Sequence, residues 1–368
     1  MQFLIYIISF RTFVSQIILL FSLIILPAFC KAQLADTLKE VVENGYIERM
    51  DNYVGIKASM SNATETFNIR NNGGQNINLY PNTATYAGMS FNYRFISGGF
   101  RIAPKFLPGN GDEETQGKTK EFALGMEFIF RHFFQSIGYS GVRGYYLYNT
   151  KDYNSTWKQG DPYIQFPDLK YTGFIGSSGY SFNPRLSLKA LSTQTDRQLK
   201  STGGFIIQSK YRYYIINDKE DASPTHTKQR SDNLEINLGI GYNYVFVIKK
   251  YFYASIAVVP YIGYLRSHFK TDFYTSSTYT NQNNRILGWD SRFAVGYNGR
   301  SFFTGCNLNL GGESYRQENT AVYTDGVQLT YQFFVGYRFN PLKIMKEEVD
   351  FMQKQMEDHI PKKNKKSE

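Results

Sequence analysis

Cysteine is almost absent: the chain has two in 368 residues, Cys30 and Cys306. Loss of the N-terminal segment described below leaves Cys306 alone, which excludes an intramolecular disulfide and a paired-cysteine metal site. Histidine is nearly as scarce. His132, His226, His268 and His359 are scattered, and no spacing among them suggests a metal centre. No glycine-rich loop follows a strand and opens a helix; Gly98-Gly99 and Gly203-Gly204 read as turn or strand glycines, which excludes a phosphate-cradling nucleotide site. Long apolar runs are missing too. Beyond the N-terminus nothing approaches the roughly 18 apolar residues of a membrane-spanning helix. No cofactor and no metal are expected.

Aromatic residues and glycine are plentiful, with 30 Tyr, 30 Phe and 31 Gly. Their arrangement is clearest from Val327 to Phe339. Every second residue there, Val327, Leu329, Tyr331, Phe333, Val335, Tyr337 and Phe339, is apolar or aromatic, and the intervening set is Gln328, Thr330, Gln332, Phe334, Gly336 and Arg338. A side-chain period of two is that of a strand, with one greasy and one largely polar face. Glycine, threonine and glutamine on the polar face suit a crowded wet interior better than a soluble surface. The stretch therefore reads as a transmembrane β-barrel strand ending on a terminal aromatic.

The same rhythm recurs in Thr85 to Phe95, Phe100 to Phe106, Thr119 to Arg131, Ser136 to Tyr148, Leu234 to Phe246, Tyr251 to Leu265, Ile286 to Tyr297 and Phe302 to Leu310. A first strand begins at Tyr53 to Met60 and could extend through Phe67 and Ile69. Short turns at Ser97, Phe133, Lys249 and Asn298 alternate with long loops after Phe106, Tyr148, Ile216, Arg266 and Gly311, as in bacterial barrels with periplasmic turns and outer loops. Lys170 to Thr195 is ambiguous. Arg185 to Thr193 is the better strand candidate, because Gly173, Gly176 and Gly179 weaken Tyr171 to Tyr180. The expected fold class is all-β, an antiparallel transmembrane β-barrel of about 12 strands (about 10 to 14), with a short C-terminal periplasmic helix.

The expected organisation is a signal peptide over residues 1–32, a partly helical periplasmic segment over 33–51, the barrel over 52–339, and an amphipathic helix with a basic tail over 340–368. Arg11 precedes the apolar run Ile17 to Ala28, and Cys30-Lys31-Ala32 places small residues near a cleavage site. After Phe339 the period changes: Asn340 can cap a helix with Pro341 at its start, and Met345, Val349, Met352, Met356 and Ile360 recur at steps of three and four. The net charge of +10 does not point to nucleic acid, because its one dense cluster, Lys362 to Lys366, has no interleaved aromatics.

The strand alternation assigns a set of charged residues to the lumen: Arg94, Arg101, Lys105, Glu127, Arg131, Lys210, Arg212, Glu235, Asp290, Arg292 and Arg338. Paired, they would close the interior; unpaired around water, they would favour anions in a pore. The mixed signs favour a narrow or blocked lumen. No convincing catalytic constellation appears. His268, beside Ser267 and near Asp272, is the one rim histidine a barrel enzyme could use.

YPNTATYAGMSFNYRF (Tyr80 to Phe95), GKTKEFALGMEF (Gly117 to Phe128), FNPRLSLKAL with DRQLKSTGGF (Phe182 to Phe205) and GYNYVFVIKKYFYASIAVVPYIGY (Gly241 to Tyr264) resemble, in that order, the domain of unknown function 4421 family of Bacteroidetes-type outer-membrane barrel proteins. The resemblance covers most of the mature chain and implies a barrel, but no active site. The expected role is a narrow channel or a structural or interaction component of the envelope, in the outer membrane with both termini periplasmic. Expected partners are outer-membrane lipid, the machinery that inserts barrels and a periplasmic partner of the C-terminal helix. The alternatives are a barrel enzyme acting on lipid or surface polymers, and a soluble secreted β-protein.

Overall fold

The computed structural model describes residues 42–62, 66–71, 76–224, 226–316 and 322–358. The expected signal peptide at 1–32 and the tail beyond Asp358, with His359 and the Lys362 to Lys366 cluster, lie outside the described residues.

In chain order the strands are β1 (Val42–Glu43), β2 (Ile47–Arg49), β3 (Val54–Ser61), β4 (Phe67–Asn71), β5 (Ile77–Tyr80), β6 (Tyr86–Tyr93), β7 (Ile96–Ile102), β8 (Lys120–Ile129) and β9 (Phe133–Leu147). They continue with β10 (Gln165–Ser181), β11 (Asp196–Gln198), β12 (Thr202–Asp218), β13 (Lys228–Ile248), β14 (Phe252–Asp272), β15 (Ser277–Asn298), β16 (Phe302–Arg316) and β17 (Val322–Phe339). Helices are short: α1 (Glu113–Gln116), α2 (Thr150–Tyr153), α3 (Leu188–Leu191) and, by itself after the barrel, α4 (Lys343–Asp358). Twelve strands, β3, β6 to β10 and β12 to β17, close into one antiparallel barrel. Its seam joins the last strand to the first, from Phe339 opposite Val54 to Gln332 opposite Ser61.

The outward rows stay bare. Ile240, Ile262 and Leu287 are 60%, 64% and 66% exposed, and a water-soluble chain does not leave such a continuous apolar belt uncovered. The inward positions of the same strands are polar and buried: Asn233, Glu235, Asn237 and Asn243 on β13 alternate with the bare Ile236, Leu238, Ile240 and Tyr242. At one rim the rings of Tyr251, Phe252, Tyr297 and Phe302 touch one another, as in the aromatic girdles of membrane barrels.

The wall is uneven. Strands β3, β6 and β7 have 8, 8 and 7 residues, against 21, 21 and 22 for β13, β14 and β15. Above the short strands, β4 and β5 form a hairpin that bridges β17, with Val322 opposite Asn71, to β9, with Leu79 opposite Leu147. The expected extension of the first strand through Phe67 and Ile69 is this separate hairpin.

Three more expectations need correction. Tyr171 to Tyr180 lies in barrel strand β10, and Arg185 to Thr193 is not a barrel strand. The glycines are tolerated because rings cover them: a Cβ on Gly173, Gly176 or Gly179 would collide with Tyr171, Tyr211 or Phe134. The polar stretch from Arg266 to Asn284, expected as a loop, continues β14 and β15 in register up to Asp272 opposite Ser277. From His268 to Asn283 both faces are exposed or half-buried, so this hairpin keeps its ladder but loses its hydrophobic period. Finally, the segment expected to be partly helical before residue 52 forms β1 and β2 where it is described.

Candidate functional site: the barrel interior

At the short-turn end the connection between β10 and β12 folds into the mouth instead of turning tightly. Strand β11 pairs with β2, and β2 with β1, in a small sheet. Helix α3 starts where the Ser187 hydroxyl accepts from the Ala190 N–H at 3.1 Å, a side-chain cap that satisfies a free helix donor. Ser187 also donates to Asp196 at 2.7 Å, and Lys189 pairs with Asp196 at 3.2 Å. Burial is extensive: Leu186 is fully enclosed by Val245 and Tyr253, and Leu188 packs on Ile129 and Ile206.

Barrel side chains hold this stopper mainly by its carbonyls. Arg338 of β17 donates to the Gln194 carbonyl through Nε at 3.1 Å and through Nη2, and to the Gly299 carbonyl at 2.6 Å. Its guanidinium lies over the Phe303 ring, 4.6 Å from the centroid. Asn298 donates to the Asp196 carbonyl at 3.0 Å, and Lys57 to the Ser192 carbonyl at 3.0 Å. The Ser192 hydroxyl donates to Glu127 at 2.6 Å. Beneath the stopper, burial raises the carboxyl pKa values of Asp51 and Glu43 above the ordinary range, against the opposing pull of Lys189 on Asp51 and Arg131 on Glu43.

The loop end is closed differently. Val142, Tyr145, Leu169, Tyr171, Tyr214, Leu265 and Ile286 form an apolar layer across the lumen, and Phe67 and Leu79 of the β4–β5 hairpin pack against it. The Phe67 ring lies 5.6 Å from Tyr145 and 6.0 Å from Tyr171.

Between the two closures lie most of the charged residues read from the alternation. Lys210 pairs with Asp290, and Arg212 with Glu235 at 2.6 Å. Arg292 donates to Gln208 at 2.9 Å. Arg101 faces inward over the Tyr86 ring. Glu127 and Arg338 belong to the stopper's contacts. The rest lie at the rims. Arg94 occupies the β6–β7 turn at φ 51° and donates to the Asp51 carbonyl. Arg131 sits in the β8–β9 turn, paired with Glu43 at 2.6 Å. Lys105 is outside the lumen, largely exposed and paired with Glu113 at 2.8 Å; β7 ends at Ile102, and Pro104 cannot continue a ladder.

The rim histidine does not assemble with its neighbours. Ser267 is buried on the inner face and His268 follows on the outer face, bonded to Asn281; Asp272 is engaged by Lys270 and Ser277. One grouping escaped the reading of sequence spacing. Asp218, Glu220 and His226 come together at the β12–β13 tip with their ligand atoms within 4.8 Å of one another, and His226 Nε2 is 2.9 Å from Asp218. Among the described residues they are the one group of three such side chains close enough together to share a cation. No signal in the sequence pointed to them: the β12–β13 register carried past Asn217 opposite Arg230 would set His226 against Asp221, whereas His226 bridges to Ser223.

No curated protein matches the chain. Among solved structures it is similar to Ail, the attachment invasion locus protein of Yersinia pestis, at 16% identity over 56% of this chain and 98% of that chain, with a TM-score of 0.22. It is also similar to the outer membrane protease OmpT of Escherichia coli, at 8% identity over 79% and 98%, TM-score 0.31. The outer membrane protein OmpT of Vibrio cholerae aligns at 6% identity over 83% and 100%, TM-score 0.31. Likenesses this loose carry no argument about activity. The sequence match is firmer: over residues 36–339 the chain fits one family model, and it belongs to the family described as Domain of unknown function (DUF4421).

Proposed function

We propose that this protein is an outer-membrane β-barrel stoppered at both ends, acting as a structural or interaction component of the envelope and not as a standing pore. The bare outward rows support the membrane setting. Alternation of short turns with long loops supports periplasmic termini and outer loops, with lipid and the barrel-insertion machinery as partners. The observation that carries the reading is the segment from Asn183 to Leu199, held in the mouth by Arg338, Lys57 and Asn298. It assigns no catalytic role to any residue.

Planar-bilayer recordings of the purified protein test it. The expected result is many insertions without steady conductance steps, with steps appearing only when residues 186–197 are replaced by a short Gly-Ser turn and Tyr145 and Tyr171 of the loop-end layer are also cut to alanine. A steady open conductance in the unaltered protein would overturn the reading.

A further inference from the structure

Among the lumen cations between the two closures, Arg292 has neither a carboxylate partner among the described residues nor an aromatic ring beneath it. Arg292 projects inward from β15 opposite Asn309 of β16; it donates to Gln208, and among the described residues its other guanidinium N–H donors meet no acceptor. The neighbouring cations are neutralised, Lys210 by Asp290 and Arg212 by Glu235. Glu313 sits opposite Gly288, further toward the loop end. Space lies in front of Arg292. Both Arg292 and Asn309 are exposed although they face the lumen, and so is the inward-facing Ile175, at 39%. On the β8–β9 wall, a Cβ added to Gly125 or Gly138 would meet nothing nearer than a backbone oxygen, at 3.6 and 3.5 Å. The two closures thus enclose a chamber that their own side chains do not fill.

Arg292 faces the chamber's solvent with donors to spare, and the planar fork of a guanidinium matches two oxygens of one anion. We propose that the chamber holds a small oxyanion, a carboxylate or a phosphate, on Arg292. Asn309, whose amide already donates to Thr330 at 3.1 Å, stands beside it with its carboxamide. The closures limit the ligand to a small solute and give it slow exchange.

The test lets the chamber close around its ligand. Protein refolded from urea into detergent with labelled inorganic phosphate, or in a parallel sample labelled acetate, is desalted and counted. The expected result is stoichiometric label from one of the two anions, which identifies the class. Arg292→Gln abolishes retention and Arg292→Lys retains at least tenfold less, with both variants showing the unaltered protein's heat-modifiable gel shift. Absence of both labels from the correctly folded unaltered protein, or equal retention by Arg292→Gln, would overturn the proposal. Conductance recordings test the stoppers and label retention tests the chamber, so the two readings fail separately.

Discussion

The two ends of the lumen are shut by unlike means. At the turn end a separate stretch of chain sits in the mouth, gripped by arginine, lysine and asparagine side chains reaching its carbonyls. At the loop end the wall's own tyrosine, leucine and isoleucine side chains meet across the bore. A stopper held by directional bonds can let go as a unit and leave the barrel standing. A layer made of the strands' own side chains cannot, because opening it means pulling strands apart.

The sharpest way to break that contrast is at the loop end. Tyr171→Ala removes a fully buried ring, and truncating a buried aromatic costs about 3 to 5 kcal/mol; a urea titration in detergent is expected to show the whole barrel losing that much without gaining conductance. Next comes Arg338→Ala, which strands buried carbonyls at a cost of about 2 to 3 kcal/mol. Here hydrogen exchange is expected to rise in residues 183–201, while bilayer recordings stay silent because the loop-end layer still shuts the bore. Ser192→Ala leaves Glu127 without its hydroxyl donor, a loss of about 1 kcal/mol. Its expected mark is faster exchange confined to the stopper, with the urea midpoint unmoved.

The smallest effect is that of pH. Burial raises the pKa of Asp51 and of Glu43, so between the ordinary carboxylate value and the raised one the folded state binds more protons than the unfolded. Stopper stability is therefore expected to rise as pH falls through that window and to be flat above it, with Asp51→Asn removing part of the slope. Exchange rates of residues 183–201 across a pH series, corrected for intrinsic exchange, measure it.

Much of the barrel was legible because lipid imposes a rule at every second position. Wherever a strand crosses the apolar belt, as in Leu234 to Phe246, the alternation reports its faces directly. The rule also explains the misreading of Arg185 to Thr193. Alternation says that one side of a segment is covered, and Leu186, Leu188 and Ala190 are covered by the barrel's interior instead of by lipid. The glycines of β10 looked unfavourable because the rings that cover them come largely from other strands. Above the belt, His268 to Asn283 carried no period because both faces meet water. Which lumen charges would pair was hidden as well: Lys210 and Asp290 lie on strands separated by two others, with Gly239 and Gly241 on the intervening wall.

Arg338 stands one residue before the end of the final strand and pairs across the seam with Gly55 of the first. The residue that grips the stopper is therefore also a residue of the seam, so the strand that finishes the wall carries the hand that holds the cork.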